Sequence, residues 1–404
     1  MFKSCGLKRP ALDEVFSSLV STALFTERKC GDVEIYLHLD KTLSNIQNSG
    51  SNLMYKFKKW ILSTTAFILI LFLLTAALVI YVDPFFQYHA PLDYFPYLVD
   101  NQLSQNPGMA KNMEYNSVIL GSSMTVNFNT HWFEELLGLH ALKLCYSGAY
   151  PKDQSNIMDI VFDSGNRVDA VFLGVDVMTY SGDVDETKYP IPEYLYDDNY
   201  LNDVQYIYNK DVVLNYILRP LADPDKTDLA TVYQSWWTDE YYNIQWVMHN
   251  YEPSEPVESV TPAETYIERV DRNLRANICP YIEQNPDTTF YIFFPPYSIL
   301  YWNNVIVENH LEATMAEYQY IAETMLAYDN VRVFFFADQE QIVTDLNNYA
   351  DYTHYHKDIN RYMTECFADG TCEVKNADEM KGALDNMRAV IDRFDFEELF
   401  SIEY

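Results

Sequence analysis

The stretch Val118-Ile119-Leu120-Gly121-Ser122-Ser123 is an apolar, β-prone run that ends at a glycine and two hydroxyl side chains. Short apolar runs of this kind, bounded by turn residues, are typical of a buried strand in a parallel sheet. Ligands of such sheets bind at the carboxyl ends of the strands. The stretch therefore predicts the first strand of an α/β fold, with polar groups at the edge where ligands bind.

Strand and helix patterns alternate downstream of this stretch. The predicted strands are 116–120, 142–146, 168–175, 289–294 and 331–336, and the predicted helices are 130–138, 152–163, 263–283 and 304–328. Such alternation implies right-handed crossovers and a parallel sheet with helices on both faces. The predicted fold class is therefore α/β, a three-layer sandwich with a parallel sheet of about five strands.

Residues 60–82 carry no charge, and as a helix they reach about 34 Å, enough to cross the hydrocarbon layer of a bilayer. Lys56, Lys58 and Lys59 directly precede them, which predicts a cytoplasmic N-terminus and a single-pass protein of the cell membrane. A cleaved signal peptide is the alternative, but the apolar run is long for one and no small-x-small site precedes Asp83. The sequence predicts an uncleaved membrane anchor.

The predicted organisation has three parts. Residues 1–59 form a cytoplasmic tail, of which 1–53 are either a misassigned start or a loose segment without an assigned function. Residues 60–82 form the transmembrane helix. Residues 83–404 form an extracytoplasmic domain of about 320 residues, enough for one large α/β domain with an insertion at about 180–260.

The part after residue 59 holds 18 basic and 53 acidic residues, a formal charge of −35. Such a surface repels nucleic acid and anionic lipid, so no nucleic-acid partner is expected. Solubility is the simplest explanation of the acidity. The sequence contains neither an EF-hand spacing nor a cluster of His and Cys ligands, so neither a metal nor another cofactor is expected.

Far downstream of the first strand lies Asp351-Tyr352-Thr353-His354. A serine hydroxyl needs a histidine to take its proton, and that histidine needs a carboxylate to hold its tautomer. The chain offers these groups in the order Ser, Asp, His. The alternative for Gly121-Ser122-Ser123 is a strand-to-helix turn in which a serine caps the helix.

Four short blocks now combine: Gly121-Ser122-Ser123 after the first strand, Gly148 after the second, Gly174-Val175-Asp176 after the third, and Asp351-x-x-His354 near the C-terminus. In this order they resemble the SGNH, or GDSL-like, hydrolase superfamily over about residues 116–360. The anchor and outward domain are similar to its DltD-like and alginate-acetylation-like members. The resemblance implies an SGNH/flavodoxin-like fold.

The resemblance also implies roles for single residues. Ser123 would be the nucleophile, His354 the general base and Asp351 the acid that orients it. The backbone N–H groups of Ser123 and Gly148 would line an oxyanion hole. Asp176 departs from the pattern, because the family has an asparagine there. It is protonated by burial, or it turns away to bind another group, or the site is no longer that of a hydrolase.

The segment from 180 to 260 is dense in tyrosine, tryptophan and acidic residues, including Trp236-Trp237. Aromatic faces beside carboxylates suit sugar rings, and Tyr297, Tyr301 and Trp302 after the fourth strand are predicted to extend this substrate-binding surface. The alternative is an aromatic lid or a subunit contact. His356 is interpreted as a flanking polar residue, since two histidines and one carboxylate are too few for a metal site.

The cysteines do not form a disulfide scaffold at this chain length. Cys366 and Cys372 flank a turn-like loop that allows a bridge in an oxidising exterior, and the sequence leaves open whether they pair. Cys145 and Cys279 lie in apolar contexts and are predicted to be buried thiols.

Two function classes follow. The first is an anchored SGNH-type serine esterase or O-acyltransferase acting on cell-envelope glycans or related polymers through an acyl-Ser123 intermediate. The second is a noncatalytic member that binds such a polymer or assists a membrane-bound acyltransferase. In both cases the bilayer is a partner through residues 60–82.

Overall fold

The computed structural model describes residues 32–224, 227–234, 238–260 and 262–402. The chain divides between Leu74 and Thr75 into two compact units. The predictions made for residues 1–31 and for Trp236-Trp237 lie outside the described residues.

One helix runs from Asp32 to Val82. Its part from Lys41 to Val82 is long and apolar enough to cross a membrane, judged by length and composition, and it is the one helix among the described residues that meets this test. The predicted apolar segment 60–82 is the C-terminal part of this helix. The same helix also includes residues 32–59, for which no helix was predicted, and no proline interrupts them.

The second unit contains a six-stranded sheet in the spatial order β2-β1-β3-β4-β5-β6. The strands are β1 (Ser117–Leu120), β2 (Ala141–Lys143), β3 (Ala170–Gly174), β4 (Thr289–Phe294), β5 (Val331–Phe335) and β6 (Glu373–Val374). The first five pair in parallel, and β6 pairs antiparallel with β5. The predicted α/β class with its mostly parallel sheet is confirmed.

The strands form where the sequence is continuously apolar. All residues of β1, β2 and β3 are buried, as expected for a parallel sheet covered on both faces. The sixth strand was not predicted, because two residues are too few to show a strand period. The three-layer arrangement of the sandwich stays a prediction.

Helices connect the strands. The remaining α-helices of the described residues are Gln102–Asn112, Thr130–Leu137, Pro151–Asp163, Val177–Tyr180, Glu193–Tyr196, Val204–Ile207, Arg219–Ala222, Ile244–Asn250, Ala263–Asn277, Cys279–Gln284, Ile299–Val307, Leu311–Met325, Glu340–Val343, Lys357–Asp369, Ala377–Arg393 and Phe396–Ser401. A π-helix spans Val212–Leu218, and 3₁₀ turns span Ser123–Thr125, Leu229–Thr231, Asp239–Tyr241 and Leu346–Asn348.

Two long predicted helices are each two helices. The prediction of 263–283 was wrong at Ile278, where Pro280 in the first turn of the next helix ends the preceding one. The prediction of 304–328 was wrong at its start and in its interior. The first helix begins at Ile299, and Asn309, with a φ of 60°, separates it from the second.

The segment between β3 and β4 breaks the strand and helix alternation. Its described residues between 181 and 260 form only short helices and turns. Whether this segment is an insertion into the α/β domain stays a prediction. Beyond it, helix Ala263–Asn277 packs against helices Pro151–Asp163 and Leu311–Met325.

Candidate active site

The candidate site begins at the carboxyl end of β1. Gly121 follows the strand with a φ of 138°, and a Cβ there would lie 2.7 Å from Thr125 Cγ2. Glycine therefore permits both the backbone conformation and the close return of the chain. Ser122 and Ser123 follow, and a short 3₁₀ turn begins at Ser123.

The two serines have different surroundings. The Ser122 side chain is buried and accepts a hydrogen bond from the Met124 N–H at 3.2 Å, so it caps the turn. The Ser123 side chain is only partly buried, and its Oγ lies 2.7 Å from Nε2 of His354. Of the two, Ser123 is the hydroxyl that contacts an imidazole.

His354 is held by Asp351 on its other side. Its Nδ1 lies 2.7 Å from Asp351 Oδ2, while Asp351 Oδ1 accepts the N–H groups of Thr353 and His354, each at 2.8 Å. The Asp-x-x-His spacing works because the aspartate closes a tight turn onto the backbone that carries the histidine. A carboxylate at Nδ1 favours the tautomer whose Nε2 lone pair faces the Ser123 hydroxyl.

Electrostatics keep Asp351 charged. Burial raises the pKa of its carboxyl, but the hydrogen bond and charge of His354, with the N–H donors of His354 and Thr353, outweigh burial and leave the pKa below its usual value. The side chains of His354 and Asp351 are still 26% and 31% exposed. The imidazole that contacts Ser123 is therefore held by an ionised carboxylate, and both of these side chains are partly exposed to solvent.

Three residues that the sequence analysis missed brace the turn. Lys143 is fully buried, and its Nζ donates to the carbonyls of Val126 and Phe128 at 2.6 and 2.7 Å. Burial lowers the pKa of Lys143 to about 8. Tyr355 Oη and Asn360 Nδ2 both donate to the carbonyl of Met124. Lys143 could have been found from the sequence, because it lies inside an apolar strand pattern and a buried cation there needs hydrogen-bond partners.

The second strand brings Gly148 to the same edge of the sheet. Beyond β2, the N–H of Tyr146 donates to the carbonyl of Gly121 at 2.9 Å, which ties this loop to the Ser123 turn. Gly148 has a φ of 74°, and the Lys188 side chain lies against it. Among the described residues, no acceptor binds the N–H of Ser123 or of Gly148. Their role as oxyanion donors stays a prediction.

Asp176 follows β3 and is buried. Burial raises the pKa of its carboxyl, against hydrogen bonds from the hydroxyls of Ser122 and Tyr297 and the charge of His354. The side chain thus engages two hydroxyl donors beside the serine turn. A raised pKa and new partners match the first two explanations for a carboxylate at this position.

The prediction that Tyr297, Tyr301 and Trp302 form a substrate-binding surface was wrong. All three are buried, and Trp302 is fully buried against Tyr318. They lie at the start of helix Ile299–Val307, whose residues pack into the core. Apolar aromatic faces gain more from this burial than from solvent exposure. Tyr297 still contacts the site, through Asp176.

Residues 238–250 lie beside the candidate site. Asp239 contacts His356 Nε2 at 3.3 Å and Lys357 Nζ at 3.0 Å, and the Tyr242 ring lies 4.7 Å from the His356 ring. His356 also caps helix Lys357–Asp369 by accepting the N–H of Asp358. Within the described ranges, no group of three or more His, Cys, Asp or Glu side chains is placed to hold a metal ion.

Cys366 and Cys372 are unbridged, and Cys145 and Cys279 are buried thiols. The hydroxyl of Tyr362 lies 3.4 Å from Cys372 Sγ.

Comparisons with known proteins give little beyond this geometry. No protein-family model matches the chain, and no curated protein matches it. A solved structure described as "The structure of a putative platelet activating factor from Streptococcus pneumonia" is similar over 66% of this chain and 88% of its own, with 14% identity and a TM-score of 0.34. A likeness of that degree identifies no family.

Proposed function

We propose that the chain is a membrane-anchored, extracytoplasmic SGNH-type serine esterase or O-acyltransferase that acts on ester groups of cell-envelope glycans or related polymers. The observation that carries the proposal is the hydrogen-bond chain from Asp351 through His354 to Ser123. A nucleophile, a base and a group that orients the base are the parts that acyl transfer through serine requires.

In the proposed first step, Ser123 Oγ attacks the acyl carbonyl carbon while His354 Nε2 takes the hydroxyl proton. The ester bond to the leaving alcohol then breaks, and His354 returns the proton to the alcohol oxygen. The product is an acyl-Ser123 ester. In the second step, water or a sugar hydroxyl attacks the acyl carbon and gives its proton to His354 Nε2. The bond to Ser123 Oγ then breaks, His354 returns the proton to Ser123 Oγ, and the acyl group leaves as an acid or as a new ester.

The negative charge on the carbonyl oxygen would be met by the N–H groups of Ser123 and Gly148, each worth about 3 kcal/mol in the transition state. Asp176 lies beside this region, and an ionised carboxylate there would oppose the developing charge. Burial raises the pKa of Asp176 and so works against that ionised form, and we expect weak activity from the site.

The proposed site of action rests on the apolar helix. Residues 60–82 would anchor the chain and the lysines before them would keep the N-terminus in the cytoplasm, which leaves the domain outside. An envelope polymer is the substrate class within reach of such a domain. Exposed aromatic side chains in the segment after β3, such as Tyr189 and Trp246, are suited to sugar rings.

A noncatalytic role is the second candidate, favoured by the carboxylate of Asp176. In that case the site would bind a polymer and assist a membrane-bound acyltransferase.

Labelling with a fluorophosphonate separates the two candidates. The purified full chain is expected to label slowly at Ser123 and to hydrolyse acetyl esters weakly. Ser123→Ala should abolish labelling, and His354→Ala should slow it by roughly three orders of magnitude, because the serine then has no base. Peptide mapping by mass spectrometry locates the label.

Ser401→Ala and His310→Ala are the matched controls, since both residues lie outside the site, and they should label like the native chain. No label on Ser123, or a labelling rate that His354→Ala leaves unchanged, would exclude the enzyme and leave the accessory role.

A further inference from the structure

The junction that follows the apolar helix, residues 83–89, is fixed by several hydrogen bonds to one buried carboxylate. Asp83, the first residue after the helix, is buried and has a φ of 46°. Its carboxylate accepts the N–H groups of Gln87, Tyr88 and His89 and the hydroxyl of Tyr206, at distances between 2.6 and 3.0 Å. The chain that leaves the helix is therefore held in one conformation.

The segment 200–222 packs directly on this junction. The Phe85 ring stacks on Tyr206 with centroids 5.3 Å apart, and it meets the edge of Tyr216 at 4.9 Å. Tyr88 Oη donates to the buried Asp203 at 2.9 Å. The exposed surface of the segment 200–222 therefore lies close to Val82, the last residue of the apolar helix.

Part of that surface is apolar. The π-helical turn Val212–Leu218 and helix Arg219–Ala222 bury Val212, Ile217 and Pro220, yet their outward side carries leucines as well. A helix at a water-exposed surface usually turns polar residues outward. The exposed apolar residues, here called the leucine surface, are Tyr200, Leu201, Val204, Leu214, Leu218 and Leu221, with exposures from 47% at Leu218 to 89% at Leu201.

Tyrosines mark the same junction. Tyr81 in the last helical turn and Tyr94 are both exposed, and their hydroxyls lie 2.5 Å apart. Tyrosine is enriched where a membrane protein passes from hydrocarbon to water. Scattered exposed leucines are ordinary, but here six large exposed apolar side chains fall within 22 residues of sequence, in the segment that packs on the junction after the apolar helix.

We propose that the leucine surface lies on the lipid bilayer, at the boundary between headgroups and acyl chains, beside the point where the membrane helix ends. The inference rests on the proposed membrane anchoring of the chain. Because the domain carries a large negative charge, the contact depends on apolar burial rather than on attraction to anionic lipid.

Photocrosslinking of the native full chain tests this. The chain is reconstituted, one copy per disc, in phosphatidylcholine nanodiscs that contain a phosphatidylcholine with a photoreactive group near the acyl carbonyl. Lipid adducts mapped by mass spectrometry are expected both in helix residues 60–82 and in residues 200–222. One copy per disc excludes a second copy of the chain as the occupant.

The outcomes separate the two proposals. Adducts in 60–82 without adducts in 200–222 would overturn the leucine surface and leave the anchoring intact. No adducts in 60–82 would overturn the anchoring, and the inference with it. Adducts in both segments support both.

A variant sharpens the test. Leu214→Gln/Leu218→Gln/Leu221→Gln should lower adducts in 200–222 by roughly fivefold or more, because the apolar contact area is lost. The matched control is Val257→Gln/Val260→Gln/Ile306→Gln, which changes exposed apolar residues elsewhere on the domain and should not alter them. Unfolding temperature in detergent checks that both variants fold, and the native result stands on its own if one does not.

Discussion

The position of the Ser123 hydroxyl depends on groups that are distant in the sequence. His354 reaches it across the sheet edge, while Asp351 is fixed locally by two N–H groups of its own turn. A local carboxylate and a remote serine are joined by one imidazole. The contact between Ser123 and His354 therefore depends on the tertiary fold. The position of the Asp351 carboxylate depends mainly on its own turn.

Asp351→Asn tests the residue that orients the base. The proposed esterase activity should fall by about 10³ to 10⁴ in kcat, since an amide no longer selects the Nδ1–H tautomer. The lowered pKa of Asp351 means that its contribution to folding stability is present above the ordinary pKa of aspartate, about 4, and is lost as pH falls through the lowered value. Ester hydrolysis assays measure the change in kcat, and denaturant titrations at several pH values measure the change in stability. An unchanged kcat would contradict the assignment.

Asp176→Asn tests the buried carboxyl. Because burial raises its pKa, the folded state holds that proton more tightly, so the native chain loses stability as pH rises from the ordinary pKa of aspartate towards the raised one. The amide variant should unfold with a larger free energy at pH 7, and this difference should vanish below about pH 4. The control Asp385→Asn, at an exposed helix position, should show no such trend. The prediction would be refuted if the gain in free energy of unfolding of the variant over the native chain were smaller at pH 7 than at pH 4.

Helix Gln102–Asn112 closely approaches the segment after Val82 at Gly108. A Cβ at Gly108 would lie 1.9 Å from the carbonyl oxygen of Phe85, so the helix and the junction after Val82 meet backbone to backbone. Pro107 is tolerated inside the same helix. This contact lies within the second compact unit, between helix Gln102–Asn112 and the segment that follows Val82.

Gly108→Ala should therefore lower the free energy of unfolding by about 3 kcal/mol or more, as overpacking forces backbone to move. The matched control is Gly382→Ala, in helix Ala377–Arg393, where a Cβ meets nothing within 4 Å. That change should raise the free energy of unfolding by about 0.5 to 1 kcal/mol. Urea titration of the two variants in detergent compares them, and equal effects would rule out the close approach.

Charge is the dominant property of the whole molecule, with a formal net charge of −32. Like charges over one surface repel and destabilise the compact state, and salt screens them. We expect the unfolding temperature of the full chain to rise by several degrees between about 0.02 M and about 0.2 M potassium chloride. Calorimetry measures it. A fall in unfolding temperature with salt would mean that attractive ion pairs, such as Arg332 with Glu373, outweigh the repulsion.

The sequence by itself determined the α/β class, the five parallel strands and the apolar helix, because each is written in a local period of apolar residues. The pairing of Asp351 with His354 could also be predicted, because the two residues belong to one turn of four residues. The family resemblance pointed to Ser123 as the partner of His354, and the tertiary structure places these two side chains in contact. Only tertiary structure decided that Tyr301 and Trp302 are core residues and that Tyr297 contacts Asp176. Packing between distant segments decides which face of a residue meets solvent, and no local pattern contains that information.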